Sequence, residues 1–250
     1  MNKTPPTTED SLLGGRVRMF QGKDGYRAAI DPVLLAAAIP AEPGERVLDL
    51  GCGAGAASLC LAARVPDLKI RGLDLQSDLI DLARQNAALN GCGDAVHFVC
   101  SDLLGPPRDI TDKPFDHVMA NPPFLEAGTG NPPPDPAKAI ANVEGAAGLD
   151  DWVQAAAAAV AHKGSVTFIH RGDRIDDLLA AFHGCLGGVI VMPLWPGPGK
   201  PAKRVIVSGR KGVTSPAQIH PGLTLHESNG RFTKAANAIL QDASGLSLKA

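Results

Sequence analysis

Between Pro43 and Gly209 short apolar runs alternate with segments of helical spacing, and this alternation constrains the fold more than any other feature of the chain. Arg46–Leu50 (RVLDL), Lys69–Leu73, Val96–Cys100, Phe115–Ala120 and Ser165–Ile169 read as strands. Ala56–Arg64, Asp78–Leu89, Asp151–Ala161 and Ile175–His183 read as helices. In the second helix Leu79, Leu82, Ala83 and Asn86 recur at helical spacing, and Asn90-Gly91 stops it. Asp150 is the expected cap of the third. Val189–Leu194 and Arg204–Ser208 read as a closing pair of strands. Strands that alternate with helices imply a mostly parallel sheet covered on both faces. The expected fold is therefore α/β and Rossmann-like, with a seven-stranded, mostly parallel sheet and a closing antiparallel hairpin.

The chain has 250 residues, of which 44% are hydrophobic, enough to bury a sizeable core. A net charge of −2 gives no global pull toward a polyanion or an anionic membrane. The longest apolar stretches, Val33–Ile39 and Ala155–Ala161, are far too short to span a bilayer. The opening MNKTPPTTEDS lacks the apolar stretch of a signal peptide, and residues 1–13 read as a disordered tail. Five cysteines without paired metal-ligand spacing suggest reduced thiols and a cytoplasmic protein. The seven histidines show no metal spacing either.

VLDLGCGAGAAS places Gly51, Gly53 and Gly55 where the first strand turns into a helix. Glycine lets a ligand approach the backbone there, and the helix N-terminus offers polar donors. The string also satisfies G-x-G-x-x-A through Gly51, Gly53 and Ala56, so a nicotinamide cofactor competes. Asp49 weighs against it: a carboxylate at the strand end repels a pyrophosphate and suits a ligand carrying an ammonium group. Asp74, with Leu75 after it, ends the second strand, where a carboxylate can accept both ribose hydroxyls of either cofactor. Asp102 follows the third strand, placed either to accept from an adenine amine or to cap a turn.

The fourth strand ends abruptly in Asn121-Pro122-Pro123-Phe124. Consecutive prolines cannot donate backbone hydrogen bonds, so they stop the strand and stiffen the corner. Their carbonyls accept, as does the Asn121 side-chain oxygen, and Phe124 offers a flat face. Such a corner suits a planar group bearing an –NH₂. Two acceptors on the amine hydrogens localise a lone pair otherwise delocalised into the ring, so no strong base is required. An ordinary Asn-Pro turn is the bland alternative. The long Gly-, Pro- and Ala-rich loop Leu125–Gly148 that follows is expected to contact substrate.

VLDLGCGAG, Asp74 in IRGLDLQ, and DHVMANPPF together resemble class I S-adenosylmethionine-dependent methyltransferases acting on exocyclic or amide nitrogens. Within that class they resemble the small-domain subgroup that includes the bacterial tRNA1(Val) adenine-N6 enzymes. DGYRAAIDPVLLAA (residues 24–37) resembles the subgroup's cofactor-covering segment, expected over residues 14–42, and AKRVIVSGRKG its last strand. The resemblance implies that S-adenosyl-L-methionine is bound by Asp49, Gly51, Gly53, Gly55, Asp74, Leu75 and Asp102, with Asn121 at its methyl end. It implies that Arg27 and Asp31 sit over the cofactor. Asn121 and Pro122 would accept from the target nitrogen, and Phe124 would stack on its ring.

The implied substrate is an adenine N6 amine in structured RNA such as tRNA. A protein glutamine amide offers the same planar –NH₂, and a small molecule is a third option. A cofactor-binding module without turnover is the non-enzymatic alternative. Candidate basic residues for RNA are scattered: Lys23, Arg27, Lys138, Arg171, Arg174, Lys200, Lys203, Arg204, Arg210 and Lys211. The stretch Lys200–Lys211 reads as a phosphate rim or as a solvated hairpin.

Overall fold

The computed structural model describes residues 7–23, 27–124 and 147–249. It begins with an antiparallel ribbon, β1 (Thr7–Leu12) and β2 (Val17–Gly22), followed by helix α1 (Ile30–Ala38). Then come β3 (Arg46–Leu50), α2 (Ala56–Arg64), β4 (Lys69–Asp74), α3 (Ser77–Leu89), β5 (Val96–Cys100) and the short α4 (Arg108–Thr111). The second half of the sheet is β6 (Phe115–Ala120), α5 (Leu149–Ala159), β7 (Val160–Arg171), α6 (Ile175–Phe182), β8 (Gly187–Trp195) and β9 (Arg204–Arg210). Two short strands, β10 (Gln218–Ile219) and β11 (Leu223–Thr224), and helix α7 (Lys234–Asp242) complete the described chain.

The main sheet runs β10-β8-β9-β7-β6-β3-β4-β5, with β11 also on β8. Pairs among β3 to β7 are parallel, whereas β9 is antiparallel to both β7 and β8. The strand order reverses between β3 and β6, the point where open α/β sheets bind ligands. β3 and β6 are buried almost along their length, as expected of central parallel strands with helices on both faces. One face packs Val47, Ile70, Met119 and Ile169 against α1, α2, α3 and α7. The other packs Leu48, Val118, Phe168 and Val207 against α5 and α6.

Three expectations need correction. The tail expected over residues 1–13 is a strand from Thr7: TTEDSL is polar because its ribbon is half exposed, and it pairs with VRMFQG, which turns Val17, Met19 and Gln21 inward. The cap of α5 is not Asp150. Asp151 reaches back one turn and its Oδ2 accepts the Gly148 backbone N–H at 2.9 Å. The alanine run stays helical only to Ala159, where the β-branched Val160 starts β7. The loop expected to contact substrate lies outside the described residues except for its last two.

Candidate active site

Register alone brings the site together. Leu50 pairs with Leu73 on one side and with Ala120 on the other, so the glycine turn, Asp74 and Asn121 leave the sheet as neighbours. Ala120 pairs with Phe168, and His170 and Arg171 pair with Val205 and Arg204. The ends of β7 and the start of β9 therefore flank the Asn-Pro-Pro-Phe corner.

The glycine turn is tightly built. Gly51 has φ +68°, and a Cβ there would lie 2.4 Å from the Trp152 ring. Gly53 has φ +52°, yet nothing lies within 4 Å of where its Cβ would be. Gly51 thus serves packing, while Gly53 leaves the open face that a ligand needs. Asp74 Oδ2 accepts the Gly53 N–H and its Oδ1 the Gln76 N–H, both at 2.9 Å. Each of its oxygens keeps lone-pair capacity for a further donor such as a hydroxyl. Burial raises the Asp74 carboxyl above its usual range, against those N–H donors.

Asp49 is 2% exposed, and its Oδ2 accepts from Ser58 Oγ at 2.7 Å. Burial pushes its carboxyl up to about 7, opposed by Ser58 and reinforced by the charge of Asp74. A buried carboxylate this costly to ionise fits a cationic partner group. Leu75 is exposed, at 68%. Asp102 is exposed and its Oδ1 accepts the Leu104 N–H at 2.9 Å, so the turn-capping role is present.

Arg27 and Asp31 do not pair with each other. Arg27 binds Asp10 at 2.5 Å and Thr8 Oγ1 at 2.8 Å, which ties it to the N-terminal ribbon. Asp31, in the first turn of α1, accepts from Arg204 Nε at 2.8 Å. The Arg204 guanidinium lies 4.4 Å over the Phe124 ring, and His170 meets the same ring at 5.6 Å. From sequence Arg204 is only a candidate basic residue for RNA, and His170 a strand-end polar residue that could line the site; their meeting at Phe124 is not legible, because Asp31, Phe124, His170 and Arg204 belong to four separate segments.

His170 is fully buried, and neither ring nitrogen has a hydrogen-bond partner among the described residues. Burial, then the positive charges of Arg174, Arg204 and Arg171, lower its imidazole to about 4. It is therefore neutral at working pH. The basic field is largely self-neutralised: Arg171 pairs with Asp173, Arg174 with Asp177 and Arg204 with Asp31. Arg210 and Lys211 bind the backbone carbonyls of Lys163 and Val160.

Another hydrogen-bonded chain sits at the opposite edge of the sheet. His117 bridges Ser165 Oγ at 2.7 Å and Glu45 Oε2 at 3.0 Å. It resembles a nucleophile–base–carboxylate series, but Ser165 is only 6% exposed and the three residues tie β3, β6 and β7 together.

Residues 28–132 match the family model described as methyltransferase small domain. The chain is a methyltransferase. It is 28% identical over 214 residues to the tRNA1(Val) (adenine(37)-N6)-methyltransferase of Aeromonas hydrophila, covering 83% of this chain and 85% of that one. Over 93 residues, 37% of this chain and 32% of the relative, it is 32% identical to the release factor glutamine methyltransferase of Chlorobaculum tepidum. Among solved structures, a predicted O-methyltransferase from Agrobacterium tumefaciens aligns with a TM-score of 0.73 at 23% identity, over 88% of this chain and all (100%) of that one. That likeness gives the methyltransferase its fold: Rossmann-like, with the seven strands β3 to β9 expected from sequence. No helix among the described residues is long and apolar enough to cross a membrane.

Proposed function

We propose that this methyltransferase acts in the cytoplasm and methylates the exocyclic N6 amine of an adenine in tRNA, with S-adenosyl-L-methionine as donor. The observation that supports the proposal is the Leu50–Ala120 register, by which the glycine turn and the Asn121-Pro122-Pro123-Phe124 corner leave adjacent strands at the same end of the sheet. When bound, the cofactor supplies an electrophilic methyl carbon on a sulfonium. The donor set fits it: buried Asp49 for the ammonium, Asp74 for ribose hydroxyls, Gly53 for close approach, with Gly51, Gly55, Leu75 and Asp102 around them. Arg27 and Asp31 act from the covering segment through their partners in β1 and β9.

The side chains of the corner do the rest. The Asn121 oxygen and the Pro122 carbonyl accept from the two amine hydrogens and localise the lone pair. Phe124 stacks on the ring and fixes its plane. Neutral His170 cannot protonate the amine. The developing positive charge on nitrogen rests against two oxygens, and transfer is then a matter of alignment.

A protein glutamine amide is the second reading, supported by the release factor enzyme among the relatives. That likeness spans 93 residues, whereas the likeness to the tRNA enzyme extends over 214. Phe124 also favours an acceptor with a ring. The deciding experiment incubates the protein with tritiated S-adenosylmethionine and either total RNA or total protein from cells lacking it. Label in small RNA as N6-methyladenosine is expected. Label in protein alone, released as methylamine on acid hydrolysis, overturns the RNA assignment.

A further inference from the structure

The Phe124 ring belongs to a chain of contacts that begins in the covering segment. Asp31 sits in the first turn of α1, and its side chain is 15% exposed. It holds Arg204 Nε at 2.8 Å, and the side chain of Arg204 is 31% exposed. Arg204 opens β9 and pairs in register with Arg171, the last residue of β7. Its guanidinium carbon lies 4.4 Å from the centre of the Phe124 ring, within the range of a desolvated cation–π contact. His170 leans on the same ring at 5.6 Å with planes inclined by 51°.

Alternation along β7 and β9 separates these two neighbours. Ile206 faces the α1 side of the sheet with Ile169, and Arg204 shares the parity of Ile206. Phe168 faces the α5 side, and His170 shares its parity. Phe124 is therefore gripped at the sheet edge from both sides. It stays only half-buried, so part of the ring reaches solvent.

We propose that Asp31 and Arg204 are positioning residues for the methyl acceptor: Asp31 fixes the guanidinium flat on Phe124, and the pair sets the plane in which the acceptor ring stacks. The inference rests on Phe124 being the stacking platform. A planar guanidinium is needed for this task, since an ammonium is a point charge without a plane. The task differs from phosphate binding, because Arg204 already spends its charge on Asp31 and its face on Phe124. It also gives the covering segment a role toward the acceptor, through a contact that spans 173 positions of sequence.

The test uses the full chain, tritiated S-adenosylmethionine and small RNA from cells lacking the protein. Arg204→Lys and Asp31→Asn are each expected to raise the RNA KM about tenfold, the size of one cation–π contact. The turnover number at saturating RNA should change by less than about threefold, and for Arg204→Lys the cofactor KM should hold. The double variant should be no worse than Arg204→Lys, because both substitutions break one chain of contacts. The slope of log KM against log salt should not change, since no phosphate contact is lost.

Recovery of wild-type KM by Arg204→Lys, with a shallower salt slope for Arg204→Ala, makes Arg204 a phosphate ligand and overturns the proposal. A lowered KM makes Arg204 a plug on the stacking face and overturns it as well. Phe124→Leu separates the two levels. If it raises KM while Arg204→Lys does not, only the positioning role falls. If Phe124→Leu leaves KM unchanged, the stacking role of Phe124 falls and this inference falls with it.

Discussion

Ser58 Oγ holds Asp49 Oδ2 at 2.7 Å at the end of β3, and the carboxyl it holds titrates near 7. The ordinary value of 3.8 applies in the unfolded chain, so folding favours the protonated form. The associated stability is whole below pH 3.8 and is lost as pH rises through about 7. The full loss is roughly 4 kcal/mol, at about 1.4 kcal/mol for each pK unit. Asparagine does not titrate. Urea unfolding without cofactor should therefore show Asp49→Asn gaining on wild type by a few kcal/mol as pH rises from about 4 to 7. Parallel profiles would remove Asp49 as the titrating group. Binding of an ammonium ligand needs the anion, so wild-type affinity for S-adenosylmethionine should fall about tenfold per unit below pH 7.

The glycine turn separates packing from ligand approach. At Gly51 a methyl group meets the Trp152 ring at 2.4 Å and the backbone stays at positive φ, so Gly51→Ala should cost several kcal/mol, on the order of 3 or more. At Gly53 only the φ of +52° is strained, and Gly53→Ala should cost about 1 kcal/mol. Calorimetry should rank the affinity loss differently. Gly53→Ala should stay folded and bind S-adenosylmethionine at least about tenfold more weakly. Unchanged affinity would show that no ligand approaches that face.

Strands β3 and β6 begin and end where the sequence placed them, because central parallel strands are buried on both faces and carry a continuous signal. The positions of Asp49, Gly53 and Asn121 were legible for the same reason: they lie where those strands stop. β1 was not legible, since a half-exposed polar ribbon has no hydrophobic period. Its neighbour β2 docks on α3 through side-chain amides rather than through sheet pairing. The Asp31–Arg204–Phe124 chain was illegible because its members meet only through tertiary register.

That docking of β2 is itself testable. Asn86 is fully buried, accepts the Phe20 N–H at 2.7 Å, and donates to Phe20 and Ala54 carbonyls at 3.0 Å. Asn90 repeats the pattern on Arg18. Asn86→Leu keeps the volume but strands three backbone groups. Thermal denaturation should report a loss of about 2–4 kcal/mol, with Asn90→Leu costing less because it is more exposed.

At the corner itself, Asn121→Ala removes one of the two proposed acceptors. Turnover should drop by about two to three orders of magnitude, the usual cost of one transition-state hydrogen-bonding group. S-Adenosylmethionine affinity should change less than about threefold. Wild-type turnover would take the Asn121 side chain out of the chemistry.

His170 bends the pH profile in the direction opposite to Asp49. Its folded value of about 4 lies below the ordinary 6.5, because burial and three arginines disfavour the cation. A depressed histidine keeps its stability above 6.5 and loses it as pH falls toward 4, by roughly 3 kcal/mol in total. The windows of His170 and Asp49 overlap with opposite signs, so a flat wild-type profile between pH 4 and 7 would hide both. Difference curves separate them. His170→Leu should gain on wild type as pH falls from about 6.5 to 4, whereas Asp49→Asn should gain as it rises. A His170→Leu curve parallel to wild type would mean that folding leaves the imidazole's titration unchanged, and the lowering assigned to it would be withdrawn.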